Sequence, residues 1–524
     1  MLKREEVLKN LQTDNNFDVV IIGGGSVGVG SALDCASRGY KTLLLEKFDF
    51  AKGTSSRSTK LLHGGVRYLE QFHFHLVMDS LRERGLLLKN APHLARWCEF
   101  IIPCYSYFDL AFYRAGLFLY DTLGKFPKGH CAYIISKSTL LEKYPNVKKD
   151  GLIGGIVYWD ATFDDARLAL ELSHSASAEG AICLNYASLI VFNKDKDVKL
   201  DGVEFIDEET QQKYKVNAKC VINATGIFSD SVRLLDNKDA KHIVQPSQGV
   251  HLMFHKDLFN TQQSLVVPKT SDGRVLFSVP WHDFIIVGTT DTPVENPEIE
   301  PKAQQGEVDF IMDNLNAYLE KKLTKDDIMG VYAGIRPLIK QDKSSTSSIS
   351  REESIEISPS NLISLVGGKW TAYRRICEKL IDHIIEKTKL LKNVKSKTTE
   401  IKIHNYLSNA EQHNIPSEFR YYGSAYKILQ SYGEDFDRLL SSKYVYNYAQ
   451  VKYAIQYEQA LTLDDVLARR IRLLFLDPQV CVLIAREVAI YMAKLLKRDV
   501  AWIDNQVEEF TNIAQNYVNT TYLK

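Results

Sequence analysis

Asp18-Val19-Val20-Ile21-Ile22-Gly23-Gly24-Gly25-Ser26-Val27-Gly28 carries four apolar β-formers straight into a run of glycines. A helix-like segment, Val29 to Ser37, follows, then Gly39, then a second apolar run, Thr42-Leu43-Leu44-Leu45, that ends on Glu46. This is the pattern of a βαβ unit with Gly23, Gly25 and Gly28 at G-x-G-x-x-G spacing. Gly23 permits the tight turn, Gly25 lets the backbone approach a pyrophosphate, and Gly28 lets the helix pack closely on the strand. The helix N-terminus, beginning near Ser26, then presents N–H groups and a positive dipole end to an anion. Glu46, about 20 residues beyond the glycines, suits the ribose hydroxyls of an adenine dinucleotide. The same glycines alone would also fit an ordinary strand-to-helix turn; strand, helix and terminal acid in register favour the dinucleotide.

Downstream, Asp49 to Tyr68 is dense in small hydroxyls and glycine, the composition of a segment that wraps a large polar ligand or of a surface loop. Within it, Gly53-Thr54-Ser55-Ser56-Arg57-Ser58-Thr59-Lys60 and His63-Gly64-Gly65-Val66-Arg67-Tyr68-Leu69 resemble the signature of FAD-dependent glycerol-3-phosphate dehydrogenases, the eukaryotic mitochondrial branch more than the bacterial one. Further matches in the family's order are Ala91-Pro92-His93-Leu94, Asp164-Asp165-Ala166-Arg167-Leu168, Asn223-Ala224-Thr225-Gly226, Gly288-Thr289-Thr290-Asp291, Gly334-Ile335-Arg336-Pro337-Leu338 and Gly367-Gly368-Lys369-Trp370-Thr371-Ala372-Tyr373-Arg374. The last, Asp464-Asp465-Val466-Leu467-Ala468-Arg469-Arg470, lies in the C-terminal part.

At 524 residues the chain has room for two to four domains, and 45% hydrophobic with 25% charged residues is an ordinary globular balance. Lys+Arg and Asp+Glu both number 65, so no long-range field advertises nucleic acid, and specificity for an anion must come from a local cluster. The eight cysteines show neither C-x-x-C nor zinc spacing, no D-x-[DN]-x-[DN]-G calcium loop occurs, and no metal site is expected. No apolar run reaches the roughly 18 residues of a spanning helix. The first ten residues mix Lys3, Arg4 and Lys9 with Glu5 and Glu6, unlike a transit peptide or secretory signal.

The pattern predicts an α/β chain: a discontinuous Rossmann-like FAD-binding domain (17–70, 150–240 and 345–390), an antiparallel-sheet substrate or cap domain (71–149 and 241–344), and a C-terminal helical domain (391–524). A short polar helix leads into the first strand. Phe72 to Asn90 reads as an amphipathic helix, residues 100–127 as an aromatic-rich helix or helix pair, and Asp160 to Glu179 as another helix. The aromatic stretch also admits a second reading, a monotopic membrane contact. Gly249–Phe254, Arg274–Pro280 and Phe284–Gly288 alternate like strands of a roof over the cofactor. Glu307 to Leu323 is expected to be helical, Gln341 to Ser350 a loop, and Lys369 to Lys387 a helix whose N-terminus points at the flavin. The lysine-studded stretch beyond it is expected to be a solvated linker.

Oxidation of a secondary alcohol needs a hydride acceptor, a base for the hydroxyl proton, and groups that hold the substrate. The resemblance implies FAD as acceptor, contacted by Gly23, Gly25, Ser26, Gly28, Glu46, Thr54, Ser55, Ser58, Lys60, His63, Gly64, Ala224, Gly226, Gly368 and Lys369. It implies glycerol 3-phosphate as substrate, with Arg67, Arg336 and Lys369 lining its site, because a guanidinium matches a phosphate bidentately and keeps its charge when desolvated. Tyr68, Thr290 and Asp291 are placed beside them. His251 is the expected base, with His63 as competitor, since an imidazole titrates near neutrality. By resemblance the electrons pass to a membrane quinone and the protein sits peripherally on the mitochondrial inner membrane. An oxygen-using oxidase and a catalytically silent flavoprotein subunit remain alternatives, and a homodimer is admitted by a sequence that does not fix the oligomeric state.

Overall fold

The computed structural model describes residues 4–65, 74–124, 126, 129–340 and 353–518. Its organising element is the strand Asn16–Ile22, flanked in parallel by Thr42–Leu45 on one side and Lys213–Asn223 on the other. Ile182–Leu184 and Leu362–Val366 extend the parallel sheet outward, and Ser354–Ile357 closes one edge antiparallel. Val19–Ile22, Leu43–Leu45 and Leu362–Val366 are near-continuous apolar runs because both faces are covered there. Val19 and Ile21 point into a core shared with the helices Ser26–Ser37, Asp165–Ala178 and Tyr373–Thr388. Val20 and Ile22 point the other way, onto a meander of Ala187–Lys194 and Leu200–Asp207 and onto the N-terminal helix Arg4–Leu11.

A second, ten-stranded sheet is almost wholly antiparallel. Its centre runs Val244–His255, Phe284–Gly288, Leu276–Trp281, Ser264–Val267, Ala95–Cys104 and Gly154–Phe163 in order, and Ile328–Ile339 pairs with Val244–His255 from Val244 to Phe254. Gly154–Phe163 therefore belongs to this sheet, not to the parallel one that the 150–240 assignment implied, as does Leu61–Leu62. The helix Gln305–Asn316 covers one part of the sheet, with a capping box between Gln304 and Glu307 at its start. It ends at Asn316, earlier than expected, because Asn316 turns back to bind the carbonyl and the amide of Leu323.

Other expectations also shift at element boundaries. Residues 100–104 are strand, and only Tyr107–Gly124 of the aromatic stretch is helix. The helix expected from Asp160 begins at Asp165, because Asp164 caps it by accepting from the Arg167 amide at 3.0 Å. The lysine-rich stretch after 388 is no free linker. Arg38 donates to the Val394 carbonyl at 2.7 Å, and Leu391 and Ile403 are buried against the parallel-sheet core. The expected 341–350 loop lies outside the described residues.

The C-terminal helices, Tyr448–Tyr457, Pro478–Leu496 and Val500–Ala514, pack their apolar faces on Met253, Trp281, Phe284, Ile286 and Tyr332 of the second sheet. A buried charge network completes the junction. Asp49 accepts from Arg469 Nε at 2.5 Å and Arg470 Nη2 at 2.9 Å. Arg472 reaches Asp165 at 2.9 Å and the Ser56 carbonyl at 3.0 Å. All three guanidinium groups are buried, so each depends on its acid for solvation it has lost. Asp49→Asn is expected to destabilise the fold by about 3–5 kcal/mol, because it removes the acid nearest the buried Arg470, while Arg469 keeps Asp464 and Asp465. An unchanged urea midpoint in this variant would contradict that role.

Candidate functional site

One cleft of about 1390 Å³ runs between the two sheets, from the glycine turn to the roof strands. At its deep end the backbone has no room for side chains. Gly23 adopts φ +108°, and a Cβ there would lie 2.7 Å from the Ala224 carbonyl oxygen. A Cβ on Gly28 would meet the Gly23 carbonyl oxygen at 1.8 Å, so the helix Ser26–Ser37 sits on the strand only because residue 28 is glycine. Gly25, the N-cap, has no side chain to occupy the helix start. Ser26 donates its amide to Ser55 Oγ at 2.9 Å, and Trp370 Nε1 donates to the Ser55 carbonyl at 2.9 Å, which ties the hydroxyl-rich segment and the Gly-Gly-Lys segment to the same turn.

Glu46 stands at the end of the second strand and lines the cleft. Its Oε2 accepts from the Gly24 amide at 2.5 Å and its Oε1 from the Phe48 amide at 2.8 Å. Burial pushes its carboxyl above the ordinary value, against the pull of those two amides. Removing the carboxylate loosens the glycine turn as well as any ribose contact. Glu46→Ala is expected to weaken FAD retention at least about tenfold, since hydrogen bonds to a charged group contribute about 1.5–3 kcal/mol. Stoichiometric flavin after gel filtration of the variant would reduce Glu46 to a strand-end acid.

The roof is set by strand register. Val244–His255 and Ile328–Ile339 pair so that Ser247 opposes Arg336, Gly249 opposes Gly334 and His251 opposes Tyr332. These positions share one face of the ladder. Two glycines facing each other leave a gap between the His251–Tyr332 pair and Arg336. The guanidinium of Arg336 folds into it: a Cβ on Gly249 would lie 2.3 Å from Arg336 Nη2. Arg336 donates to Thr289 Oγ1 at 2.9 Å and to the Thr290 carbonyl at 3.1 Å, and lies 3.6 Å from Asp291 Oδ1.

His251 is 2% exposed and stacks on Tyr332 with ring centres 4.8 Å apart. Tyr332 is held by its hydroxyl, which donates to the Ser58 carbonyl at 2.9 Å. His251 Nε2 shares a hydrogen bond with Thr59 Oγ1 at 2.8 Å, while Nδ1 is buried without a protein partner. Burial, helped by the charges of Lys60 and Arg336, holds the ring well below the usual histidine range. Both effects favour the uncharged imidazole.

The remaining expected residues divide by position. Thr54, Ser55, Ser58, His63, Ala224, Gly226, Gly368, Lys369, Thr290 and Asp291 line the cleft. The hydroxyl of Thr54 donates to the Ile335 carbonyl and that of Ser58 to Asp165, both within the fold. Thr290 likewise spends its hydroxyl, accepting from the Val250 amide at 3.0 Å and donating to Glu307 at 2.8 Å, so only its carbonyl serves the site, by aligning Arg336. Three residues expected at the cofactor stand outside the lining: Gly28, packed against the Gly23 carbonyl, Lys60 and Gly64. Lys60 is fully buried against Asp165 Oδ2 and the Ser56 carbonyl, each at 2.7 Å, and burial pulls its ammonium down to about 7. Gly64 gives its amide to the Tyr120 hydroxyl at 2.8 Å, where a Cβ would strike Tyr120 and Leu81. Arg67 and Tyr68 lie outside the described residues. Lys369 precedes a single turn, Trp370–Ala372, and the regular helix starts only at Tyr373.

Sequence reasoning overlooked Thr59, Thr289 and Arg274. Thr59 and Thr289 sit inside motifs already singled out, beside residues chosen instead. Arg274 ends the Thr270–Arg274 turn, lines the cleft, and is bound through Nε to Asp272 Oδ2 at 2.5 Å. The turn's Ser-Asp-Gly chemistry was legible, but nothing local showed that it folds toward the cleft.

Residues 18–370 match the FAD dependent oxidoreductase family, and residues 358–502 match the C-terminal domain of alpha-glycerophosphate oxidase. The chain is 37% identical to the mitochondrial glycerol-3-phosphate dehydrogenase of Homo sapiens, across 98% of this chain and 75% of that one. It is 36% identical to a probable mitochondrial glycerol-3-phosphate dehydrogenase of Dictyostelium discoideum, across 96% and 84%. The crystal structure of the glycerol-3-phosphate dehydrogenase from Bacillus halodurans, complexed with FAD, superposes with a TM-score of 0.79 at 28% identity, covering 98% of this chain and 97% of that chain.

Proposed function

This chain belongs to the FAD dependent oxidoreductases, with FAD as its cofactor, and we propose that it oxidises sn-glycerol 3-phosphate to dihydroxyacetone phosphate and passes the electrons to a membrane quinone. The glycine turn, the helix start at Gly25 and Glu46 fit the dinucleotide, because each is a place where a side chain is missing or a carboxylate faces the cleft. Bound FAD supplies a hydride acceptor at flavin N5.

The observation that carries the reading is a buried imidazole, His251, one ladder step from Gly249, over which the Arg336 guanidinium lies. One ladder step of two residues is about 7 Å. That is the scale of a three-carbon alcohol lying with its phosphate on Arg336 and its C2 hydroxyl toward His251. Arg336 and Lys369 bind the phosphate dianion, and the two threonine contacts fix the plane of the guanidinium. Thr59 and Tyr332 fix the imidazole ring, so that His251 removes the hydroxyl proton as the C2 hydrogen leaves as hydride. Arg67 and Tyr68 belong to the phosphate side by family resemblance.

The helix Tyr107–Gly124 supports the membrane part of the proposal. Tyr107, Phe108 and Phe118 are 77%, 75% and 63% exposed, with Phe112 beside them, while Tyr113 of the same helix lines the cleft. Aromatic side chains with Arg114 on an amphipathic helix suit the headgroup layer. Among the described residues no helix is long and apolar enough to cross a membrane. The proposal includes a peripheral seat on the mitochondrial inner membrane, which the names of the relatives and the exposed aromatic face support.

Anaerobic titration with glycerol 3-phosphate tests the substrate, with bleaching of the visible flavin band as the expected result and an unbleached band as the refutation. Turnover with a short-chain quinone analogue is expected to exceed turnover with oxygen at least about tenfold, a difference of about 1.4 kcal/mol in barrier. One peroxide per substrate in air, with no quinone preference, would make the protein an oxidase instead.

A further inference from the structure

Away from the cleft, two distant parts of the chain bring together side chains of metal-ligand type. Glu171 and His174, three residues apart on the helix Asp165–Ala178, share one of its faces. His404 arrives from the irregular stretch that follows the Tyr373–Thr388 helix, fixed by its own amide, which donates to Ser175 Oγ at 2.8 Å. Its Nδ1 lies 2.8 Å from Glu171 Oε2, and its ring centre is 4.7 Å from that of His174. One ligand atom from each of the three lies within 4.8 Å of the other two.

An ion-pair cluster explains part of this arrangement. Arg167 Nη2 binds Glu171 Oε1 at 2.8 Å, and Asn405 Nδ2 approaches both carboxylate oxygens at 3.2–3.3 Å. It does not explain His174, which is 4% exposed and whose Nε2 is buried with no hydrogen-bond partner. A buried polar atom left unmatched is costly, and a fold that keeps one beside a carboxylate and a second imidazole invites a ligand there.

We propose that Glu171, His174 and His404 bind one divalent transition-metal ion of the zinc type, with water in the fourth position. Two imidazoles and one carboxylate are a donor set that suits Zn²⁺. Tetrahedral bonds of about 2.0–2.2 Å place neighbouring ligand atoms about 3.3 Å apart, so modest side-chain rotations close the site. Arg167 stays on Oε1 and orients the carboxylate, leaving Oε2 for the metal once the Asn405 amide turns aside. The His404 side chain is 36% exposed and provides the way in. The ion would clip the helix behind the parallel sheet to the segment that leads into the C-terminal domain. None of the three residues lines the cleft, so metal occupancy and flavin chemistry can be read separately.

Untagged holoenzyme is dialysed against Zn²⁺, and against Co²⁺ as an optical probe whose d–d bands lie to the red of the flavin. The wild type is expected to take up one equivalent and to unfold at a higher temperature with Zn²⁺ than without. His404→Gln and His174→Gln are expected to bind at least about tenfold more weakly, with unchanged flavin content. His404 is part-exposed, so its replacement tests the site even where His174→Gln fails to fold. Absence of stoichiometric uptake by the wild type overturns the proposal. So does equal affinity in His404→Gln, which would put the ion elsewhere, for instance at the exposed thiol of Cys131.

Discussion

His251→Asn is expected to slow anaerobic flavin reduction by glycerol 3-phosphate by about two to four orders of magnitude, the usual contribution of a positioned general base. Asparagine keeps a polar group near Thr59 Oγ1, but it cannot take up the hydroxyl proton. Flavin content and the affinity for a phosphate-bearing product analogue are expected to change little, because Arg336 is anchored independently by Thr289 and Thr290. The pH profile adds a second check. A histidine whose pKa is depressed in the folded protein stays neutral down to well below pH 6.5, so its acidic limb in kcat/KM lies below that value. A limb near pH 6 then belongs to the second ionisation of the substrate phosphate, and a substrate analogue with a different phosphate pKa should move it. Stopped-flow reduction of both proteins, repeated with substrate deuterated at C2, decides the matter. Wild-type rates in His251→Asn would shift the role to His63, which also lines the cleft.

Arg336→Ala is expected to cost about 2–5 kcal/mol of transition-state binding, or roughly 30- to 5,000-fold in kcat/KM, as the loss of a charge-assisted phosphate contact. Flavin content should be retained. Arg336→Lys should recover only part of the loss, since an ammonium cannot use Thr289 Oγ1 and the Thr290 carbonyl to hold a planar fork against the phosphate. Gly249→Ala provides a steric counterpart: its Cβ would displace the same guanidinium, so kcat/KM should fall without any change in charge. A wild-type kcat/KM in Arg336→Ala would remove this residue from the substrate site.

How much of this was legible beforehand depends on the range of each interaction. The βαβ unit follows from local pattern alone: an apolar run, a glycine turn whose residues have no room for Cβ atoms, a helix and a second apolar run. Glu46 lines the cleft because its position depends only on the end of that second strand. The roof strands, with His251 and Arg336, were also readable, since alternation and motif fix each strand separately.

Pairing between strands was not readable. Nothing in the sequence states that Gly249 faces Gly334, and that register alone makes the gap into which Arg336 folds. Nor does it state that Gly154–Phe163 leaves the parallel sheet for the antiparallel one. Lys60 illustrates the same limit at one residue. Its motif pointed to the cofactor, yet tertiary folding places Asp165 and the Ser56 carbonyl around its ammonium, and a buried charge goes where its partners are. The Glu171–His174–His404 cluster is the far extreme, with 233 residues between its carboxylate and its last imidazole. The sequence by itself determined the elements, the cofactor turn and the residue types of the site, because these rest on backbone sterics and periodicity within a few residues. The tertiary structure decided which side chains are free to act, because hydrogen-bond partners, burial and charge neighbours come from residues hundreds of positions away.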